Sequence, residues 1–161
     1  RLVGSEMCIR DRYEIWWGEA IVYMQERATD DPGRCYAVRA QAGERVIVPP
    51  GWAHCTINAS RTEPMLFGAW CVRDFGFEYD EVRAHKGLAF YPTFDDHGAI
   101  VWERNPSYLA ESLVEKAPRE YVEFAIDPTQ PIYQQYTQDH AMFDFVVRPD
   151  LCTEKWLDYV P

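Results

Sequence analysis

The sequence predicts an all-β domain, an antiparallel sandwich or barrel, followed by a short helical and irregular C-terminal extension. Three observations carry this expectation. Six or so short β-branched or aromatic runs succeed one another between turn residues, with no long helical period between them. Aromatic side chains make up 15% of the chain, a share that suits a small sheet-built core around a concave, aromatic-lined site. The run Arg45-Val46-Ile47-Val48 stops at Pro49-Pro50-Gly51, where neither proline can donate to a ladder and the chain has to turn. With 161 residues, 47% of them apolar, the chain can bury the core of one domain.

The opening string, Arg1 to Arg12, has neither a helical nor a strand period. It reads as a foreign, non-native segment, with the native amino terminus missing. The domain then begins with the strand Tyr13-Glu14-Ile15-Trp16-Trp17, in which Glu14 and Trp16 share one face and Ile15 and Trp17 the other. A carboxylate among tryptophans is costly to bury unless it is paired or holds a cation. Strands are expected at Glu19 to Gln25, Arg34 to Arg39 and Arg45 to Val48, separated by the turn at Thr29 to Gly33 and by Gln41-Ala42-Gly43. The strand leaving Pro49-Pro50-Gly51 places His54, Thr56 and Asn58 on one face, Cys55 and Ile57 on the other. After a loop, the nearly continuous apolar run Met65 to Val72 reads as a strand buried on both faces.

Asp80 to His85 reads as a short helix closed by Gly87. Leu88 to Tyr91 and Ala99 to Glu103 read as strands joined by a turn over Pro92 to Gly98, which leaves His97 at the surface. Tyr108 to Lys116 has helical spacing with Ser107 as its cap, and completes a barrel domain over residues 13–116. Residues 117–161 form the extension, rich in Pro, Gln, Asp and aromatics, with a final helix over Thr153 to Tyr159; it is expected to pack on the barrel or on a partner.

The formal charge of −10 at pH 7 argues against a nucleic-acid surface, because phosphate backbones demand clustered cations. A single phosphate needs only a few local donors and stays open. Five cysteines, odd in number and without a C-x-x-C pair, give neither a zinc knuckle nor a disulfide framework, and point to a reducing cytosol. Cys55 and Cys71 are expected as buried thiols on neighbouring strands. No apolar run is long enough to span a bilayer and the first residues lack a signal-peptide core, so the expectation is a soluble, cytoplasmic protein.

His54 is the first inward residue after a rigid turn, so its ring is held by the turn itself, which suits a metal ligand or a proton carrier. The spacing of Gly43, Pro49, Gly51, His54 and Asn58 resembles the second motif of the cupin superfamily, where the histidine binds metal inside a small jelly-roll barrel. Glu14 stands where the glutamate of the first cupin motif falls. Its His-x-His would precede Tyr13, and no histidine occurs before His54; Gly18 also lies closer to Glu14 than that motif asks. The strings Glu14-Ile15-Trp16-Trp17 and Val48-Pro49-Pro50-Gly51-Trp52-Ala53-His54, with Thr56-Ile57-Asn58, Tyr79 and His85-Lys86-Gly87, resemble the cupin-type glucose-6-phosphate isomerases of archaea and bacteria, from Tyr13 to Asn105.

The resemblance implies a cupin barrel and an aldose–ketose interconversion of glucose 6-phosphate and fructose 6-phosphate; an exposed aromatic edge on such a barrel makes a homodimer the expectation. It implies one divalent metal ion (Fe, Mn or Zn) on Glu14, His54 and the two missing histidines, with Glu14 also the base or the ligand supporting it. Tyr79, Thr56 and Lys86 would then lie near the substrate. Such a reaction needs a polariser for the substrate oxygens, a base between neighbouring carbons and exclusion of water. Lacking two ligands, the chain as written should hold metal weakly and be nearly inactive. A metal-dependent oxygenase, another sugar isomerase or epimerase, and a non-catalytic sugar-binding cupin compete with this reading, since one barrel serves many chemistries.

Overall fold

The computed structural model describes residues 3–6, 12–71, 78–148, 153–157 and 159–161. Two sheets face each other. The larger has the order β1-β6-β3-β4-β10, with β1 Val3–Glu6, β3 Glu19–Gln25, β4 Cys35–Gln41, β6 Ala53–Asn58 and β10 Val114–Lys116. The smaller has the order β5-β2-β7, with β2 Arg12–Trp17, β5 Arg45–Ile47 and β7 Leu66–Trp70. Between them lie Ala20, Val22 and Met24 of β3, Tyr36, Val38 and Ala40 of β4, and Tyr13, Ile15 and Val46 from the smaller sheet. This alternation is why β3 is buried along nearly its whole length: its other face, Ile21 and Tyr23, packs outward.

Two further layers cover the outer faces. The hairpin β8 Phe90–Phe94 and β9 Ile100–Arg104, with the short helix α1 Asp80–Ala84, packs on the larger sheet through Val82, Leu88, Phe90 and Trp102. The C-terminal segment carries the helices α2 Ile132–Gln138, α3 Asp144–Val147 and α4 Glu154–Leu157. It seats Tyr121, Phe124, Phe145, Val146 and Tyr159 on Ile47 of the smaller sheet.

The all-β reading therefore holds, yet among the described residues no ladder joins the two sheets and no closed barrel forms. Three element expectations are corrected. β7 is an edge strand with Leu66 56% exposed, so the apolar run is not buried on both faces; Cys71 beyond it is likewise exposed, whereas Cys55 is buried. The stretch expected as a helix over Tyr108 to Lys116 instead ends in β10, which pairs in parallel with β4. Tyr108 and Ala110 are buried while Leu109 between them is exposed, the two-residue period of an extended chain. The hairpin turn is shorter than expected, because Pro92 lies within β8 opposite Trp102; a two-stranded ribbon tolerates a proline whose missing donor faces outward.

Backbone pairing also reaches into the stretch that lacks any period: β1 pairs with β6, Val3 opposite Thr56 and Glu6 opposite His54. Ladder hydrogen bonds need no particular side chain, which is why periodicity misses it. At the turn between β2 and β3 only glycine serves. Gly18 has φ +73°, and a Cβ there would sit 2.3 Å from the Pro64 carbonyl oxygen. No helix among the described residues is long and apolar enough to cross a membrane.

Candidate functional site

The site is built on the elbow between β5 and β6. Pro49 and Pro50 end β5, Gly51 takes φ +76°, and the Trp52 amide donates to the Pro49 carbonyl at 3.3 Å. Trp52 is pinned by stacking on Tyr36, ring centroids 6.0 Å apart, and by the Arg34 guanidinium over its other side. The anchored Trp52 carbonyl lies 3.0 Å from Nδ1 of His54. A carbonyl can only accept, so Nδ1 carries a proton. Nε2 lies 3.0 Å from the Tyr13 hydroxyl in a hydrogen bond, with the two rings edge-on.

His54 is 1% exposed. It lies opposite Met24 of β3, and Thr56 lies opposite Val22, so both face the space between the sheets. The Thr56 hydroxyl is buried there without a hydrogen-bond partner. On the other face of β6, burial alone pushes the Cys55 thiol up to about 12, which leaves it an inert core group.

Glu14 is not brought to this point. Tyr13 and Ile15 occupy the inner face of β2, so Glu14 points the other way, under the C-terminal segment. Its carboxylate accepts from Arg45 Nη2 at 3.0 Å, from Trp16 Nε1 at 3.1 Å and from the Ile132 amide at 3.3 Å. Arg45 also donates to the carbonyls of Pro128 and Gln130. Above them Arg12 lies with its guanidinium 4.3 Å from the Phe143 ring centroid and 4.9 Å from that of Phe145.

Tyr79 and Lys86 lie in a third place, at the two ends of α1 and outside the larger sheet. The Arg83 guanidinium covers the Tyr79 ring at 5.0 Å. Lys86 is exposed with φ +60°, and its carbonyl accepts from the Tyr91 hydroxyl at 3.2 Å. Beside it His85 stacks on Tyr108 and gives both ring nitrogens to oxygens, the Glu81 carbonyl at 2.7 Å and the Asp30 carboxylate at 2.8 Å. These two acceptors raise its pKa above 6.5. Of the five expected site residues, only His54 and Thr56 share a face.

The described residues do not fit the divalent metal that the resemblance implies. Both ring nitrogens of His54 and both carboxylate oxygens of Glu14 have partners, and the two groups face apart across β2. Among the described residues no three His, Cys, Asp or Glu side chains gather where they could hold such an ion. The group that sequence reasoning missed is Tyr13. Its signal is the alternation itself: whichever face Glu14 takes, Tyr13 takes the other.

Comparison with known proteins supplies a family. Residues 10–111 match the profile of the family described as glucose-6-phosphate isomerase (GPI). Over 76 residues the chain is 33% identical to a protein named glucose-6-phosphate isomerase from Thermococcus litoralis, an overlap that takes in 47% of this chain and 38% of that protein.

Proposed function

This chain belongs to the glucose-6-phosphate isomerase family, and from that premise we propose that the protein interconverts glucose 6-phosphate and fructose 6-phosphate. The observation that carries the reading to particular residues is the His54 and Tyr13 pair, a ring nitrogen and a phenol hydroxyl in contact at 3.0 Å inside the sandwich. Aldose–ketose interconversion shifts a proton between neighbouring carbons and another between their oxygens. A neutral imidazole with Nε2 unprotonated can take the first, and a phenol beside it can supply the second. Thr56, on the same face, is the proposed contact for a substrate hydroxyl.

No step is assigned to a metal, because Glu14 and His54 face apart; Glu14, Tyr79 and Lys86 are left outside the proposed chemistry for the same geometric reason. We place the enzyme in the cytoplasm, as a homodimer on a cupin-type jelly-roll frame. The motif spacing around His54 and the unpaired cysteine pattern support that placement.

The test is a dehydrogenase-coupled assay of fructose 6-phosphate conversion by the whole protein, run with chelator and with added Fe or Mn. His54→Ala should lower turnover by about 10²–10⁴, and Tyr13→Phe by less. Undiminished turnover in His54→Ala would sink the assignment. Activity that chelator abolishes and Mn restores would return the polarising role to a metal held with residues beyond those described.

A further inference from the structure

A second polar cluster occupies the opposite face of β2, and its charges do not balance. The register sets Arg45 opposite Glu14 and Ile47 opposite Arg12, so the two arginines are diagonal neighbours on one buried face. The Glu14 carboxylate is committed to Arg45, to Trp16 and to the Ile132 amide. Arg12 feels its charge but donates no hydrogen bond to it. Only 1% exposed, its Nε, Nη1 and Nη2 all lack an acceptor, and so does Nε of Arg45. Burial first, then the charge of Arg45, pull the Arg12 guanidinium down to about 9, which still leaves it cationic at neutral pH. A buried cation with unmet donors is among the costliest groups a fold can keep.

We infer that this cluster is a binding site for one small oxyanion, held by the Arg12 fork with Arg45 Nε, in the crevice between the smaller sheet and the C-terminal segment. Two guanidinium groups against one carboxylate leave a single positive charge, which a monoanion cancels. The planar fork matches the paired oxygens of a carboxylate or a phosphate, and Phe143 and Phe145 hold it flat for that purpose. A surface cavity lined by Glu14, Arg45, Thr129 and Gln130 reaches the Glu14–Arg45 side of the cluster. Arg12 lies within residues 10–111, the stretch that matches the family profile. The anion would bridge β2 to the segment carrying Phe143 and Phe145, on the face of β2 turned away from His54, so binding is separable from the proposed chemistry.

The test is thermal melting of the chain at constant ionic strength, with inorganic phosphate and acetate titrated in separate arms. The melting temperature should rise saturably with at least one of them, by about 5–10 °C once the anion exceeds its Kd a hundredfold. A rise with phosphate alone identifies a phosphoryl group, and a rise with acetate a carboxylate. Arg12→Met should abolish the rise while melting no lower than wild type in anion-free buffer, since it removes the orphaned charge. Arg12→Lys keeps the charge without the fork and should weaken binding about tenfold or more. No rise in either arm, or an equal rise in wild type and Arg12→Met, would overturn the site.

Discussion

The inner and outer faces of β2 bury polar side chains to similar depth and resolve them in opposite ways. On the inner face Tyr13 and His54 form a hydrogen-bonded chain in which a hydroxyl meets one ring nitrogen and the other ring N–H meets a carbonyl. On the outer face Glu14, Arg45 and Arg12 are ionic, and one guanidinium is left without an acceptor. A neutral network costs little to keep dry and holds its groups ready for proton traffic. An ionic one is stable only while every charge has a counterpart, which makes it sensitive to whatever supplies the missing one.

The sharpest way to break this comparison is to remove the cation that Glu14 depends on. Arg45→Ala strands a buried carboxylate and releases the carbonyls of Pro128 and Gln130, and should cost about 3–5 kcal/mol in urea unfolding. A loss below that range would mean that Glu14 faces solvent or the inner side. Next comes the inner pair. Tyr13→Phe removes one neutral hydrogen bond and should cost about 1–2 kcal/mol by the same measurement. Metal titration by calorimetry sharpens the contrast further. The chain should show no tight stoichiometric uptake of Mn or Zn, and a clear 1:1 isotherm would show that a metal site forms despite the opposed directions of Glu14 and His54.

Smaller effects are expected where a group is already unsatisfied or half exposed. Thr56→Val deletes a hydroxyl that has no partner and should be neutral or stabilising by up to about 1 kcal/mol. His85 provides the pH-dependent case. Its pKa is raised in the fold by the Glu81 carbonyl and Asp30, so its contribution is complete below the ordinary 6.5 and disappears as pH rises through the raised value. With Asp30 largely exposed, the change in unfolding free energy across that window should stay under about 1 kcal/mol and vanish in Asp30→Asn.

Much of the sandwich was legible because its strands keep a strict two-residue alternation between turn residues. Glu19 to Gln25 was expected as a strand over the same residues it occupies, and the elbow placing His54 followed from Pro49-Pro50-Gly51 alone. What could not be read was the direction of Glu14. A strand covered on both sides offers no polar face to orient it, and the cover comes from Ile132, Phe143 and Phe145, which follow more than a hundred residues later. The same remoteness hid β10. Nothing local announces that Val114 to Lys116 will find the free edge of β4, whereas the spacing of Leu109, Leu113 and Val114 imitates a helix.

The hydroxyl of Tyr159 donates to the carbonyl of Ile47 at 2.5 Å across a sequence separation of 112 residues. During synthesis the outer side of the smaller sheet can therefore be sealed only after Tyr159 has left the ribosome. Until then a nascent polypeptide exposes Ile47 and an uncovered arginine to the crowded cell. This late docking marks the step at which a chaperone would be most needed.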